Sequence, residues 1–304
     1  MPATDERVSR RNIIKGAAVG AGSIALAACA PDSAEGEGVH VTRVSRVPAD
    51  DPDHHAWRAS TAKVVPLGPQ DMALPQQLSP SISSVRVQAI HDGERIGFRL
   101  EWDDAESNDL TVRVDDYRDA CAVLLAPGAA DANLRTMGSA TTPATLLQWK
   151  ADWQRDLDFG RQGLEAVYPN RSIDTYPIVY DTPPDEVDVG SYEAAGATEW
   201  LPGLNVGNPF SANHRSTPVE KAIAFGFSTT TTAPTQNATG RGVRTATGWR
   251  VVITKPLSAA DDGELAIMTA TVSTCAFAVW SGSVRDAGSR KCPAKSVHAL
   301  NVGP

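Results

Sequence analysis

The sequence of 304 residues has few cysteines, only 6% aromatic residues and no long apolar run. Its four cysteines are too few to hold a set of several iron–sulfur clusters, and the lack of a Cys-x-x-Cys-His motif excludes a covalently attached c-type haem. No apolar stretch reaches the roughly 20 residues that a membrane-spanning helix needs. The sequence also lacks a Gly-x-Ser-x-Gly elbow and a His-Glu-x-x-His site, so neither of these hydrolase classes is indicated.

Acidic residues outnumber basic ones, with 36 Asp and Glu against 28 Lys and Arg, which gives a net charge of −8. Four basic and two acidic residues lie within the first 28, so the chain without them carries a net charge of −10. A surface this acidic repels phosphate, which argues against a nucleic acid partner. It suits docking to basic proteins, such as small soluble cytochromes.

Residues 1–28 are typical of a twin-arginine signal peptide, because Ser-Arg-Arg-Asn-Ile-Ile-Lys at 9–15 precedes a short Gly/Ala-rich apolar run. The run ends in Leu-Ala-Ala-Cys at 26–29, which is similar to a lipobox. Cleavage before Cys29 and attachment of a lipid to its sulfur are therefore expected. The alternative is an ordinary cleaved signal. Both predict export, and the first predicts a lipoprotein anchored at the outer face of the cytoplasmic membrane, in the periplasm.

Residues 29–40 are rich in Pro, Asp, Ser, Glu and Gly and have too few large apolar residues to pack. They are predicted to form a flexible tether between the lipid and the folded part. No later stretch has the composition of a linker, so residues 41–304 are expected to form a single domain.

Short apolar or alternating segments bounded by turn residues recur through residues 41–304, which predicts an all-β sandwich. The Asp-Gly turn between 84–91 and 95–102 predicts a hairpin. Between 152 and 213 the periodicity is weak, and a short helix near 153–167 within long ordered loops is expected. Loops of this length on a sandwich usually bind a ligand. The predicted strands are 62–67, 84–91, 95–102, 111–114, 120–126, 222–229, 248–255, 264–272, 275–280 and 295–302.

Three cysteines follow the predicted lipidation site. Cys121 and Cys275 lie within apolar, strand-like strings and are expected to be small buried core residues. A disulfide from Cys292 to either of them is left open, because the compartment predicted for the exported chain is oxidising.

Three blocks of short motifs follow one another along the chain. The first block contains Asp-Ala-Cys-Ala-Val, Met-Gly and Trp-Lys-Ala-Asp within 117–123, 134–138 and 147–153. The second block occupies 207–209, 215–220, 226–229, 236–237, 240–243 and 249–252, and the third is Ala-Phe-Ala-Val-Trp-Ser-Gly at 276–282 with a lysine-bearing terminal strand. In order and spacing they resemble the haem b-binding gamma subunits of the type II dimethyl sulfoxide reductase family, such as ethylbenzene dehydrogenase.

This resemblance implies an immunoglobulin-like β-sandwich with long loops that holds one haem b, without a covalent bond, between its sheets. It implies one methionine and one lysine as axial ligands of the iron. It also implies an electron-transfer subunit that performs no bond chemistry itself. The implied partners are a molybdopterin-containing alpha subunit, an iron–sulfur beta subunit and an external carrier such as a soluble cytochrome.

Met137 matches the Met-Gly motif of the family and is therefore the expected methionine ligand of the haem. A gap-filling core side chain is the alternative role for it. His298, beside the terminal strand, and His214, in the long loop, are kept as alternative ligands, because imidazole commonly binds haem iron.

Two lysines compete for the other axial position, because the string Arg-Lys-Cys-Pro-Ala-Lys-Ser at 290–296 contains both Lys291 and Lys295. The spacing to the terminal strand of the family favours Lys295, whereas the distance from Gly288 favours Lys291. The sequence comparison prefers Lys295 and expects the terminal strand to close the haem pocket opposite Met137.

A lipid-anchored module that binds carbohydrate or a surface polymer, without haem, is the alternative function. Such a module would use exposed tryptophans, for which the candidates are Trp102, Trp149, Trp153 and Trp200.

Overall fold

The computed structural model describes residues 38–128, 132–170, 196, 201–212, 214–226 and 229–304. The predicted signal peptide, Cys29 and nearly all of the predicted tether lie outside these residues. The first strand begins at Val39, so the last two residues of the predicted tether belong to the folded part instead.

Strands dominate the described residues. They are β1 (Val39–Arg43), β2 (Lys63–Pro66), β3 (Ser84–His91), β4 (Arg95–Asp103), β5 (Ala120–Pro127), β6 (Ala144–Lys150), β7 (Val219–Ala224), β8 (Thr231–Thr232), β9 (Thr239–Arg244), β10 (Gly248–Pro256), β11 (Val272–Trp280), β12 (Cys292–Pro293) and β13 (His298–Val302). Two α-helices are described, α1 (Ala151–Phe159) and α2 (Pro202–Asn205). Single 3-10 turns occupy His55–Ala59, Ala132–Thr136, Leu164–Ala166, Pro209–Ser211 and Gly282–Val284.

The strands follow the order β8-β7-β6-β5-β11-β13-β1-β3-β4-β10-β9, with β12 beside β11 and β2 beside β3. Pairing is antiparallel except at β1, which runs parallel to both β13 and β3. The half that contains β6, β5 and β11 packs against the half that contains β3, β4 and β10, because side chains of both halves belong to one hydrophobic core. The chain is an all-β sandwich, as the sequence predicts.

Period-two alternation builds this core. Val123 and Leu125 of β5 and Phe98 of β4 point into the space between the two halves. In its middle the ring of Trp149 lies 6.3 Å from that of Trp102 and 5.1 Å from that of Trp249. Each such aromatic side chain buries about 150–250 Å². The tryptophans therefore hold β6 against β4 and β10.

The hairpin of β3 and β4 forms as the sequence predicts. The Asp92 carboxylate accepts hydrogen bonds from the backbone N–H groups of Val47 at 2.9 Å, Glu94 at 3.0 Å and Arg95 at 2.8 Å. Gly93 supplies the left-handed turn residue, with a φ of 93°.

Five other predicted strands agree with the structure to within a few residues, namely 62–67, 120–126, 248–255, 275–280 and 295–302, although the last begins only at His298. The predicted strand 222–229 begins three residues too late and runs past the end of β7, which is Val219–Ala224; residues 227–228 of the prediction lie outside the described residues. The helix expected near 153–167 is α1, which begins two residues earlier and ends at Phe159. The Gly residues at 160 and 163 follow its end.

Two predicted strands are wrong. Residues 111–114 form a turn, in which the Asp116 carboxylate accepts the N–H groups of Val112 and Arg113. Most of 264–272 is a loop, and only Val272 belongs to β11. Strands β1, β6 and β9 were not predicted. β1 pairs with β13 and β3, β6 pairs with β5 and β7, and β9 forms a hairpin with β10.

The loop that leads into β11 is fixed by a buried ion cluster around Glu264. Its carboxylate lies 2.7 Å from Lys221 Nζ and 3.2 Å from Lys255 Nζ. Lys221 Nζ also lies 2.9 Å from the Asp261 carboxylate. Ion pairing lowers the pKa of Glu264 against the opposing effect of burial, so this carboxylate stays charged. Charged pairing therefore decides the shape of a segment that its apolar pattern predicts as a strand.

Replacing Glu264 with Ala should destabilise the fold strongly, because Lys221 and Lys255 would keep buried charges without this partner. We expect the free energy of unfolding to fall by about 3–5 kcal/mol, the usual penalty for removing one member of a buried ion pair. Urea unfolding followed by tryptophan fluorescence measures the change. Glu106→Ala, at an exposed glutamate, is the control and should stay within about 0.5 kcal/mol of wild type. Equal losses in the two variants would contradict a structural role for the cluster.

Candidate functional site

The sheet formed by β6, β5 and β11 has apolar side chains on both faces. Cys121, Val123 and Leu125 point to the core, whereas Ala120 and Ala122 point to the outer face and pack with Ala278 and Trp280 of β11. Strand pairing places Ala122 opposite Ala278 and Leu124 opposite Ala276. Because these side chains are small, the middle of the outer face is flat and projects little from the sheet.

A cavity of about 650 Å³ lies over this outer face. Its floor is formed by the alanines, Leu124, Leu146 and Trp280, and its walls come from residues 68–74, the segment around Met137 and residues 288–297. This volume is typical of small-molecule and cofactor sites. The family resemblance implied a group held between the sheets, but that space is filled by the hydrophobic core. The cavity lies on the outer face of one sheet instead.

Met137 is held over the floor in an unusual backbone conformation. Its φ is 63°, in the left-handed region that non-glycine residues rarely adopt. Its N–H donates to the Leu134 carbonyl at 3.1 Å, and its carbonyl accepts the Gly226 N–H at 3.0 Å. Gly138 follows with a φ of 81°, and a Cβ there would lie 2.8 Å from the Ala224 carbonyl oxygen. Strained, well-held residues of this kind are concentrated at functional sites.

Lys291, in the wall segment 288–297, reaches the same point. Its Nζ lies 3.6 Å from Met137 Sδ and 5.3 Å from the centre of the Trp280 ring. Burial lowers the pKa of Lys291 to about 8, because the charged ammonium loses water. The structure therefore brings together a thioether and an amine that loses its proton easily.

The other candidate ligands lie farther from Met137 or outside the cavity. Lys295 lines the cavity but is exposed, and its backbone N–H donates to the Pro66 carbonyl at 3.0 Å. The His298 ring lies 6.3 Å from the Phe277 ring, on the core side of the sandwich. His214 is exposed, and neither histidine lines the cavity. Lys295 and Val297, at the start of the predicted terminal strand 295–302, line the cavity, whereas the observed strand β13 does not.

The ionisable residues that line the cavity are mostly basic, although the chain is acidic overall. Among the described residues, the lining contains five basic residues and one acidic residue, Asp71, the basic ones being Arg118, Arg135, Lys150, Lys291 and Lys295. Arg135 and Lys295 are exposed at this site. An apolar floor with a basic surround suits a flat apolar ligand that carries carboxylate groups.

Lys150 forms the wall at one end of β6. It pairs with Glu220, and its Nζ lies 4.0 Å from the centre of the Trp153 ring and 4.3 Å from that of Phe210. Burial lowers the pKa of Lys150 to about 8 against the opposing effect of Glu220. The sequence analysis noted its Trp-Lys-Ala-Asp motif without giving the lysine a role. Alternate alanines in β5 and β11 were the other signal in the sequence for this site.

Three cysteines in the described part of the chain are buried and free. Burial confirms the core role predicted for Cys121 and Cys275. Val279 pairs with Cys121 on one side and with Cys292 on the other. Two strand spacings, about 10 Å, thus separate these two cysteines, which is beyond the reach of a disulfide.

Three of the four tryptophans expected to form an exposed carbohydrate-binding platform are buried. Trp102, Trp149 and Trp153 are all buried, and Trp200 lies outside the described residues. This corrects the expectation on which the alternative function depends. Among residues that the structure describes, no group of three or more His, Cys, Asp and Glu could hold a metal ion, and no helix could cross a membrane.

Comparison with known proteins gives one family match and one curated relative. The model of the family described as ethylbenzene dehydrogenase matches residues 54–292. A protein of Haloferax mediterranei, provisionally named as a respiratory nitrate reductase haem subunit, is 27% identical over 125 residues. That match covers 41% of this chain and 45% of the relative, so it spans less than half of either protein.

Two solved structures of a family 9 carbohydrate-binding module from Caldicellulosiruptor kristjanssonii are also similar in fold. The complex with cellotriose has a TM-score of 0.38 at 10% identity and covers 87% of this chain and 93% of the module. The complex with glucose has a TM-score of 0.36 at 9% identity, with 88% and 96% covered.

The Met137 segment yields a prediction about Gly138. Gly138→Ala should destabilise the fold by more than Gly128→Ala, measured as the free energy of unfolding in urea. Both glycines have a positive φ, 81° and 76°, so both variants carry the strain of about 1–2 kcal/mol for a left-handed alanine. Only the Cβ at 138 would also collide with backbone, because nothing lies within 4 Å of a Cβ at 128. Equal losses would show that Gly138 is not required for close packing.

Proposed function

This chain belongs to the ethylbenzene dehydrogenase family, and we propose that it is an electron-transfer subunit that binds one haem b in the cavity over β5, β6 and β11. The observation that carries the proposal is the meeting of Met137 Sδ and Lys291 Nζ, 3.6 Å apart, above a flat apolar floor. Bound haem would supply a one-electron iron couple, and the chain itself would catalyse no bond chemistry.

The donor atoms fit a haem iron. A thioether is a soft, neutral ligand that favours ferrous iron, and an amine binds iron only when it is deprotonated. The pKa of Lys291, lowered to about 8 by burial, makes its neutral form accessible near physiological pH. Met137 and Lys291 would therefore hold the iron, one from each wall of the cavity.

This proposal replaces Lys295 with Lys291 as the lysine ligand. Lys291 Nζ contacts Met137 Sδ. Lys295, in contrast, is exposed, and its backbone N–H donates to the Pro66 carbonyl. A role that fits Lys295 better is contact with a haem propionate. Arg135, also basic and exposed on the cavity lining, would serve in the same way.

The proposed partners are supported by the family match and by the relative that is named as a haem subunit of a nitrate reductase. The chain would relay electrons between a molybdenum oxidoreductase, with a molybdopterin-containing alpha subunit and an iron–sulfur beta subunit, and an external carrier such as a soluble cytochrome. The twin-arginine signal and Cys29 would place it at the outer face of the cytoplasmic membrane, tethered by a lipid.

Reconstitution with haem tests the site directly. The purified protein should show a Soret band that shifts on reduction, and Met137→Ala and Lys291→Ala should each weaken haem affinity at least tenfold, which is about 1.4 kcal/mol. Absorbance titration measures the affinity. The absence of a Soret band in the wild-type protein would exclude the proposed function.

Lys295→Ala is the matched control for Lys291→Ala, because both lysines line the cavity. It should keep the wild-type spectrum and bind haem within about fivefold of wild type, since only a surface charge pair is lost. A variant at 295 that loses haem while Lys291→Ala retains it would reverse the ligand assignment.

The anchor is tested in the producing cell. Cys29→Ala should move the exported protein from the membrane fraction to the soluble periplasmic fraction, because the lipid supplies its hold on the bilayer. Replacing Arg10 and Arg11 with Lys is the control for the route and should stop export. Membrane association that persists in Cys29→Ala would contradict lipid anchoring.

A further inference from the structure

Residues 70–77, here called the strap, form part of one wall of the cavity. The two ends of the strap are hydrogen-bonded to each other. Gln70 N–H donates to the Gln77 carbonyl at 2.7 Å, and Gln77 N–H donates back to the Gln70 carbonyl at 2.8 Å. Met72 and Leu74 of the strap line the cavity. Both glutamine side chains are buried, which is uncommon for this residue type outside well-bonded positions.

The Gln70 amide organises the strap and ties it to the opposite loop. Its Oε1 accepts the N–H groups of Met72 and Ala73, both at 2.8 Å. Its Nε2 donates to the Ala73 carbonyl at 2.8 Å and to the Ser289 carbonyl at 2.9 Å. Ser289 lies two residues before Lys291.

The second link passes through Asp286, a buried carboxylate. Gln77 Nε2 donates to Asp286 Oδ1 at 3.0 Å, and the Ser281 N–H donates to Asp286 Oδ2 at 3.2 Å. Arg290 adds a third link, because its Nη1 donates to the Gln76 carbonyl at 3.0 Å. The loop of residues 286–290 is therefore bonded to the strap near both of its ends.

Lys291 lies directly between this loop and β12. On its far side, β12 pairs with β11, and the Gly68 N–H donates to the Pro293 carbonyl at 2.8 Å. On its near side, residues 286–290 contain no strand or helix of their own, so contacts with the strap help to fix their path. The strap therefore contributes to the position of the backbone that leads into Lys291.

We propose that Gln70 and Gln77 are positioning residues that hold the loop of residues 286–290 so that Lys291 stays over the cavity, opposite Met137. This inference rests on the proposed haem function, in which Lys291 is a ligand. Among the described contacts, no side chain of the strap is hydrogen-bonded to Met137 or Lys291, the proposed iron ligands. It acts through the Ser289 carbonyl and the Asp286 carboxylate.

Gln77→Met tests the proposal, because methionine keeps the length of the side chain and removes the donor to Asp286. In the haem-free protein, amide hydrogen exchange should become at least about tenfold faster in peptides covering 286–291, while the urea midpoint stays within 10% of wild type. In the haem-loaded protein, more than about half of the low-spin absorption should change to high-spin, and the midpoint potential should shift, because the lysine ligand is lost from part of the molecules.

Gln76→Met is the matched control, since Gln76 is the exposed neighbour and its Nε2 donates only to the Asp71 carbonyl within the strap. It should leave the exchange rates, the spectrum and the potential at wild-type values. A wild-type spectrum and potential in haem-loaded Gln77→Met would overturn the positioning role while leaving the proposed function intact. A wild-type protein with no Soret band would overturn the proposed function, and the positioning role with it.

Discussion

The structure depends on the sheet of β5, β6 and β11, which is apolar on both faces. The side chains on its core face are large, and many of those on its outer face are small. Toward the core, β5, β6 and β11 present large side chains such as Leu125, Trp149 and Phe277. Toward the outside they present alanines, and close packing of a protein interior requires that such a face be covered. Segments from distant parts of the chain cover it only at the rim. What remains is a flat-floored cavity, whose shape follows from the choice of small residues at alternate positions.

The buried lysines differ from the proposed ligand Lys291 in whether a carboxylate pairs with the ammonium group. Lys150 is paired with Glu220, and Lys221 and Lys255 share Glu264. In each case a carboxylate compensates the loss of water around the ammonium. Among the described residues, no carboxylate pairs with Lys291, and its Nζ contacts a thioether instead. An amine in that setting favours its neutral form, which is the form that binds a metal.

The sequence predicts what local alternation and local turns determine. The β3–β4 hairpin was predictable because Asp92 and Gly93 form its turn without help from distant residues. Met137 was proposed as a ligand from the family motif, and it lines the cavity. The segment before β11 was predicted wrongly, since Lys221 and Lys255 hold Glu264 from other strands. The proposed choice of Lys291 over Lys295 rests on the contact of Lys291 with Met137, which joins residues 154 positions apart and could not be read from local sequence.

The residues that line the cavity are far apart in the sequence, and this constrains when a cofactor can bind. The proposed ligands Met137 and Lys291 are 154 positions apart, and the strap that orients Lys291 lies 219 positions from Ser289. Contacts at such separations form only when the sandwich is assembled, because the chain entropy of closing these loops must first be offset by core packing. The complete cavity is therefore a property of the folded chain. If the proposed twin-arginine signal exports the protein already folded, this route would allow haem to be inserted before the chain crosses the membrane.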